Sequence, residues 1–161
     1  LQVSPYLCTF VPFSPDSRTS DHGELFVYIG VTLLGVAGGW RVTNIRSSLF
    51  LVQCLDILEQ VPSVGADRIE LYTEDYASNF ARPEQDAVLE RYRLTAQRAG
   101  QLGIGLNAGH DLDLQNLSKF LAIPNILEVS IGHALVVESL QLGVAEVISR
   151  YLAIVDGEGT E

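Results

Sequence analysis

From Gly65 onward, apolar and polar positions alternate between two periods. In "RIELY" (Arg68–Tyr72), Ile69 and Leu71 fall on one side of an extended chain and Glu70 and Tyr72 on the other, so the stretch predicts a strand after a helix-ending Gly65. In "RPEQDAVLERYRLTAQRAGQLG", Val88, Tyr92, Thr95, Ala99 and Leu102 recur at helical spacing, with Pro83 suited to the first turn and Gly103 as the stop. "IGLNAG" predicts the next strand. "DLQNLSKFLAI" predicts a short helix with Asp113 as N-cap, closed by Pro124. "ILEVSIG" is a further strand. A last helix over about Leu135–Ile154 sets Val137, Leu140, Val144, Val147, Ile148 and Tyr151 on one face.

Before Gly65 the pattern predicts a strand at Tyr6–Pro12 and a polar loop, "FSPDSRTSDHG". A helix within Leu25–Gly38, a strand within "WRVTNIRSSLFLV" and a short helix over Leu55–Val61 ending at Pro62 follow. The alternation of strand and helix with short connections calls for parallel strands covered by helices. About five βα units are counted, too few to close an eight-stranded barrel and unusual as a complete open sheet.

A chain of 161 residues, 47% hydrophobic, suits one buried core. The formal net charge is −10, and Lys119 is its one lysine. Ten dispersed basic residues build no patch for nucleic acid or an anionic membrane. The uncharged run Leu25–Trp40 is shorter than a bilayer span and carries four glycines, so a buried segment is expected. Cys8 and Cys54 show neither metal spacing nor a disulfide framework, which points to a reducing, cytoplasmic setting. The chain starts at Leu1, has no methionine and shows no signal-peptide pattern, so a fragment or a processed chain is expected.

Chemistry concentrates at the ends of two predicted strands. "NAGHDL" puts Gly109 and His110 where one strand stops, and "SIGHAL" puts Gly132 and His133 at the end of the next. In barrels and open α/β sheets, active sites gather on that edge. A turn at Gly132–Ala134 opening onto a helix offers backbone N–H groups to an anion such as phosphate. Two matching pairs favour function over ordinary loop chemistry. Glu70 points away from the apolar side of its strand, as do Glu128 and Ser130 opposite Leu127, Val129 and Ile131. Carboxylates so placed are paired, hydrated or at work, and a buried network remains the alternative. Thr19, Ser20, Asp21 and His22 follow a strand on the same edge, where a polar loop is commonly only a turn. No GxxxxGK[ST], GxSxG or CxxC motif is present, and Lys119 falls within a helix, away from the strand ends.

"GADRIELYTEDYA", "GLNAGHDL" and "LEVSIGHAL" resemble the C-terminal half of the pyridoxine 5'-phosphate synthase family, and "CTFVP" followed by "RTSDHG" resembles its middle strand and loop. The resemblance covers residues 6–23 and 65–155. It implies an α/β fold of the (β/α)8 barrel type, of which residues 1–161 would form the C-terminal part, about the last five units. It also implies condensation of 3-amino-2-oxopropyl phosphate with 1-deoxy-D-xylulose 5-phosphate to pyridoxine 5'-phosphate, phosphate and water. No metal or organic cofactor and a homo-octameric assembly are implied with it. By the same resemblance, His110 is the proton donor and Glu70 a transition-state stabiliser. Asp111, Gly132 and His133 contact the amino-oxopropyl phosphate, and Thr19 the deoxyxylulose phosphate.

Two departures qualify the match. The family's N-terminal strands, with their proton-accepting histidine and glutamate, have no counterpart here. Residues 24–53 do not look like the family, through divergence or a translated frameshift, and Val136 and Val137 replace a small residue expected after "GHA". The chain alone is therefore expected to be inactive. Two other readings stand beside this one. In the first, His110, His133 and Glu70 are metal ligands of a barrel hydrolase, without HxH or HExxH spacing to support it. In the second the chain is a non-catalytic remnant.

Overall fold

A computed structural model describes residues 7–10, 46–51 and 55–157. Among the described residues, five strands form one parallel sheet in sequence order: β1 (Leu7–Phe10), β2 (Arg46–Leu51), β3 (Arg68–Tyr72), β4 (Gly105–Gly109) and β5 (Ile126–Ser130). Between and after them run α1 (Leu55–Leu58), α2 (Val61–Val64), α3 (Glu74–Asn79), α4 (Gln85–Gln101), α5 (Leu117–Leu121), α6 (His133–Leu142) and α7 (Val144–Val155). The α/β alternation and the parallel sheet predicted by the sequence are present. The predicted helix within Leu25–Gly38 lies outside the described residues.

Two-residue alternation sorts the sheet into two faces. Leu49 and Leu51, Ile69 and Leu71, and Leu106 and Ala108 stand side by side in register and are buried in one apolar cluster with the helices. Tyr76 of α3, Tyr92 of α4 and Phe120 of α5 meet at its centre with ring centroids 5.1–6.3 Å apart. Such tilted and edge-on contacts add to the burial of large rings. Each tyrosine also directs its hydroxyl at a backbone carbonyl near the strand tops: Tyr92 donates to Tyr72 O (2.7 Å) and Tyr76 to Asn116 O (2.8 Å). The core is thus tied to the loops above it.

The other face is polar. Arg68 donates to Asn107 Oδ1 (3.0 Å) and pairs with Glu128, and Arg46 stands 3.5 Å from the same Glu128 carboxylate. Glu128 belongs to this ionic network on the polar face, where it lies level with Asn107 and Glu70. Its strand departs from simple alternation: Ile126 faces Leu106 and Glu128 faces Asn107, so Leu127 is the extra residue of a bulge. Leu127 is consequently 54% exposed and does not share the face of Val129, which packs against the core.

Three boundaries differ from the sequence expectation. Pro62 does not end a helix but sits in the first turn of α2, where its missing N–H costs nothing. Pro83 precedes α4, which starts at Gln85, and the short helix α3 before it was not foreseen. The predicted last helix is two, broken at Gly143 with φ +88° and ψ 142°, a conformation open essentially to glycine alone. The break resets the helical phase, so the predicted apolar face is not buried as one stripe. Val147 and Tyr151 are buried, whereas Val137, Leu140, Val144 and Ile148 are exposed, Leu140 by 85%.

Candidate active site at the strand tops

The tops of β3, β4 and β5 carry the residues singled out in the sequence. Glu70 is the middle residue of β3, two before its end, in register with Asn107 of β4 and Phe50 of β2. Its carboxylate leans towards Gly109: a Cβ there would fall 2.8 Å from Glu70 Oε1 and 3.1 Å from Ser130 Cβ. Glycine at 109 therefore admits the carboxylate between two strands. The rings of Phe50 and Tyr72 lie 5.2 Å apart on this face, and Tyr72 meets His110 at 4.6 Å with the planes at 70°. Burial, then the Glu74 and Asp111 carboxylates, push the Tyr72 phenol above its ordinary value, so it remains a neutral hydroxyl.

His110 and Asp111 follow Gly109 directly, and both adopt positive φ, +99° and +58°. His110 Nδ1 lies 3.0 Å from Asp111 Oδ2, and both side chains are nearly half exposed. The contact leaves Nε2 as the nitrogen for exchange with a ligand. Beneath the pair, Thr73 donates from its backbone N–H to Gly109 O (3.1 Å) and from Oγ1 to His110 O (2.5 Å). Asn116 Nδ2 donates to Asp111 O (3.1 Å). The expected capping role of Asp113 is met one turn before α5, which starts at Leu117: its Oδ1 accepts from the N–H groups of Gln115 and Asn116, each at 2.9 Å. Tyr72, Thr73 and Asn116 escaped the sequence reading as site residues. The one signal for them was the alternation that places Tyr72 on the face of Glu70.

Gly132 caps the start of α6, and His133 is its first residue, both exposed above β5. A Cβ on Gly132 would meet no heavy atom within 4 Å, so the space above this turn is open to a ligand. The strand order sets this turn beside the His110 loop. Thr19 lies outside the described residues. Among the described residues, no three His, Cys, Asp or Glu side chains converge as metal ligands, which leaves the hydrolase reading without a ligand set there. No helix among them is long and apolar enough to cross a membrane.

The chain is 43% identical over 145 residues to pyridoxine 5'-phosphate synthase of Albidiferax ferrireducens, covering 89% of this chain and 58% of that one. It is 41% identical to the enzyme of that name from Xanthomonas campestris (97% and 61% covered) and 40% to that of Christiangramia forsetii (96% and 65%). The chain thus spans about three fifths of the length of these curated relatives. A solved structure, the Amycolatopsis orientalis BexX/CysO complex, superposes with a TM-score of 0.48 at 13% identity, over 82% of this chain and 53% of that one, a likeness too slight to bear on the site. Residues 1–157 match the family described as pyridoxal phosphate biosynthesis protein PdxJ, and the chain belongs to that family.

Proposed function

We propose that the chain forms the carboxyl-terminal part of a pyridoxine 5'-phosphate synthase barrel and carries part of its active site. The observation that bears most weight is the placement of Glu70 on one strand and of His110–Asp111 and Gly132–His133 in the turns that follow the next two, all on adjacent parallel strands. The substrates are then 3-amino-2-oxopropyl phosphate and 1-deoxy-D-xylulose 5-phosphate. Joining them and closing the ring needs repeated proton transfers and loss of water. His110 gives protons through Nε2 while Asp111 holds Nδ1, a role that contributes about 10²–10⁴-fold. Glu70, beside Gly109, stabilises charge that builds on the reacting atoms. The turn at Gly132–His133 receives the phosphate of the amino-oxopropyl substrate on backbone N–H groups, and Thr19 serves the second phosphate. A cytoplasmic, homo-oligomeric enzyme without metal or organic cofactor accords with this reading.

The test is product formation from both substrates. Residues 1–161 by themselves are expected to make none. Mixed with the amino-terminal portion of the Albidiferax enzyme that the match leaves uncovered, they are expected to make pyridoxine 5'-phosphate. Absence of product in both arms, with both polypeptides folded, overturns the assignment.

A further inference from the structure

We propose that Thr73 and Asn116 form a two-point clamp that positions His110 and Asp111. The backbone gives the reason a clamp is needed. His110 at φ +99° and Asp111 at φ +58° are consecutive non-glycine residues in the left-handed half of conformational space. Histidine and aspartate enter it at a cost and stay only where the surroundings over-determine them.

The surroundings here are two buried side chains. Thr73 is wholly buried and Asn116 is 3% exposed. Each gives a hydrogen bond to the carbonyl of one strained residue: Thr73 Oγ1 to His110 O, and Asn116 Nδ2 to Asp111 O. Neither bond belongs to a helix or strand ladder. Thr73 is itself fixed, because its N–H extends the β3–β4 pairing by one step to Gly109 O. Asn116 is fixed from three sides: its Oδ1 accepts from Asp113 N–H (3.0 Å), its N–H donates to Asp113 Oδ1, and its carbonyl accepts from the Tyr76 hydroxyl. The clamp is thus anchored in the sheet on one side and in the aromatic core on the other. Held so, the two residues keep the His110 ring between the Asp111 carboxylate and the Tyr72 ring. Thr73 and Asn116 are buried beneath the loop and are not proposed to touch substrate. They act through His110, and their kinetic consequence rests on the function proposed above.

Ring ¹⁵N chemical shifts of histidine report which nitrogen carries the proton, and they are readable in residues 1–161 without turnover. The His110 signals are identified by their loss in His110→Gln. Thr73→Val keeps the shape and removes the hydroxyl. Asn116→Asp keeps the acceptor for Asp113 N–H and removes the donor to Asp111 O. Thr73→Ser retains the donor. The clamp predicts that Thr73→Val and Asn116→Asp move the His110 shifts towards those of free imidazole, while Thr73→Ser leaves them where they are. Wild-type shifts in both donor-deleted variants, with melting transitions intact, overturn it. If Thr73→Val fails to fold, Asn116→Asp decides. In the complemented assay, Thr73→Val is expected to lower kcat about tenfold or more with KM within about threefold, because a misplaced proton donor weakens the chemical step before binding. No product from the wild-type mixture would defeat the proposed function and still leave the ring shifts to judge the clamp.

Discussion

The carboxylate of Glu70 occupies space that any side chain at Gly109 would claim, with 2.8 Å between Oε1 and the position of a Cβ. The glycine before His110 is therefore a packing requirement of Glu70 as much as a turn residue. Gly109→Ala should displace the flexible end of Glu70 and press on Ser130 Cβ, costing about 1 kcal/mol of stability. Urea unfolding of wild type and variant measures the loss. In the complemented assay the same change should depress kcat by about tenfold, and wild-type stability in the variant would show that Glu70 swings clear freely.

Gly132 offers the contrasting case, since nothing lies within 4 Å of a Cβ placed there. Gly132→Ala should shift unfolding by no more than about 1 kcal/mol. Gly132→Val, which puts bulk where phosphate is proposed to sit, should weaken binding of the amino-oxopropyl phosphate by about tenfold or more. Calorimetry on the complemented protein checks both numbers, and unchanged affinity for the valine variant would remove the phosphate assignment.

His110→Asn retains a polar side chain beside Asp111 and removes the imidazole. In the complemented assay it should lower kcat by about 10²–10⁴ with substrate affinity changed only a few-fold. A matching loss of affinity would instead mark His110 as a binding group.

The tyrosines beneath the site predict a pH dependence of stability. Burial, then the Asp113 charge, raises the Tyr76 phenol well above its usual value. Burial, then its hydrogen bond to Glu138 (2.5 Å), does the same for Tyr151. A phenol whose folded value is raised stabilises the fold fully below its unfolded value near pH 10, and that contribution drains away as pH climbs towards the folded value. Urea midpoints should therefore hold between about pH 7 and 9.5 and fall above about pH 10. A Tyr76→Phe, Tyr151→Phe double variant should lose most of that fall.

The parts of this structure that were legible in the sequence are those encoded by neighbours. Alternation in "RIELY" separates Ile69 from Glu70, and Gly65 and Gly103 end helices at φ +70° and +71° as their positions suggest. Short-range signals failed where they were ambiguous. A proline near a helix serves either end, so the sequence alone does not say that Pro62 opens one. Glu74–Asn79 is too short to show a helical period. The apolar spacing from Val137 to Tyr151 runs across Gly143 as if nothing happened there, because a period in sequence assumes an unbroken backbone. For the candidate site, the placement of Glu70 on a strand and of His110 just after one was legible through alternation and the Gly–His pair. Thr73 and Asn116 were not, because their work is a hydrogen bond to a carbonyl elsewhere in the chain, 37 residues away for Thr73.

The ionic network on the polar face of the sheet bears on how the chain avoids mispairing. Arg68 meets Glu128 and Asn107 only when β3, β4 and β5 align as they do. A slip of one residue would turn Arg68 into the hydrocarbon layer now filled by Ile69, stranding its charge and that of Glu128 at a cost of several kcal/mol. The apolar side chains alone, leucine beside isoleucine beside leucine, discriminate far less between neighbouring alignments. Charge on the polar face thereby selects the alignment that sets Tyr72 level with Gly109, and with it the height at which His110 leaves the sheet.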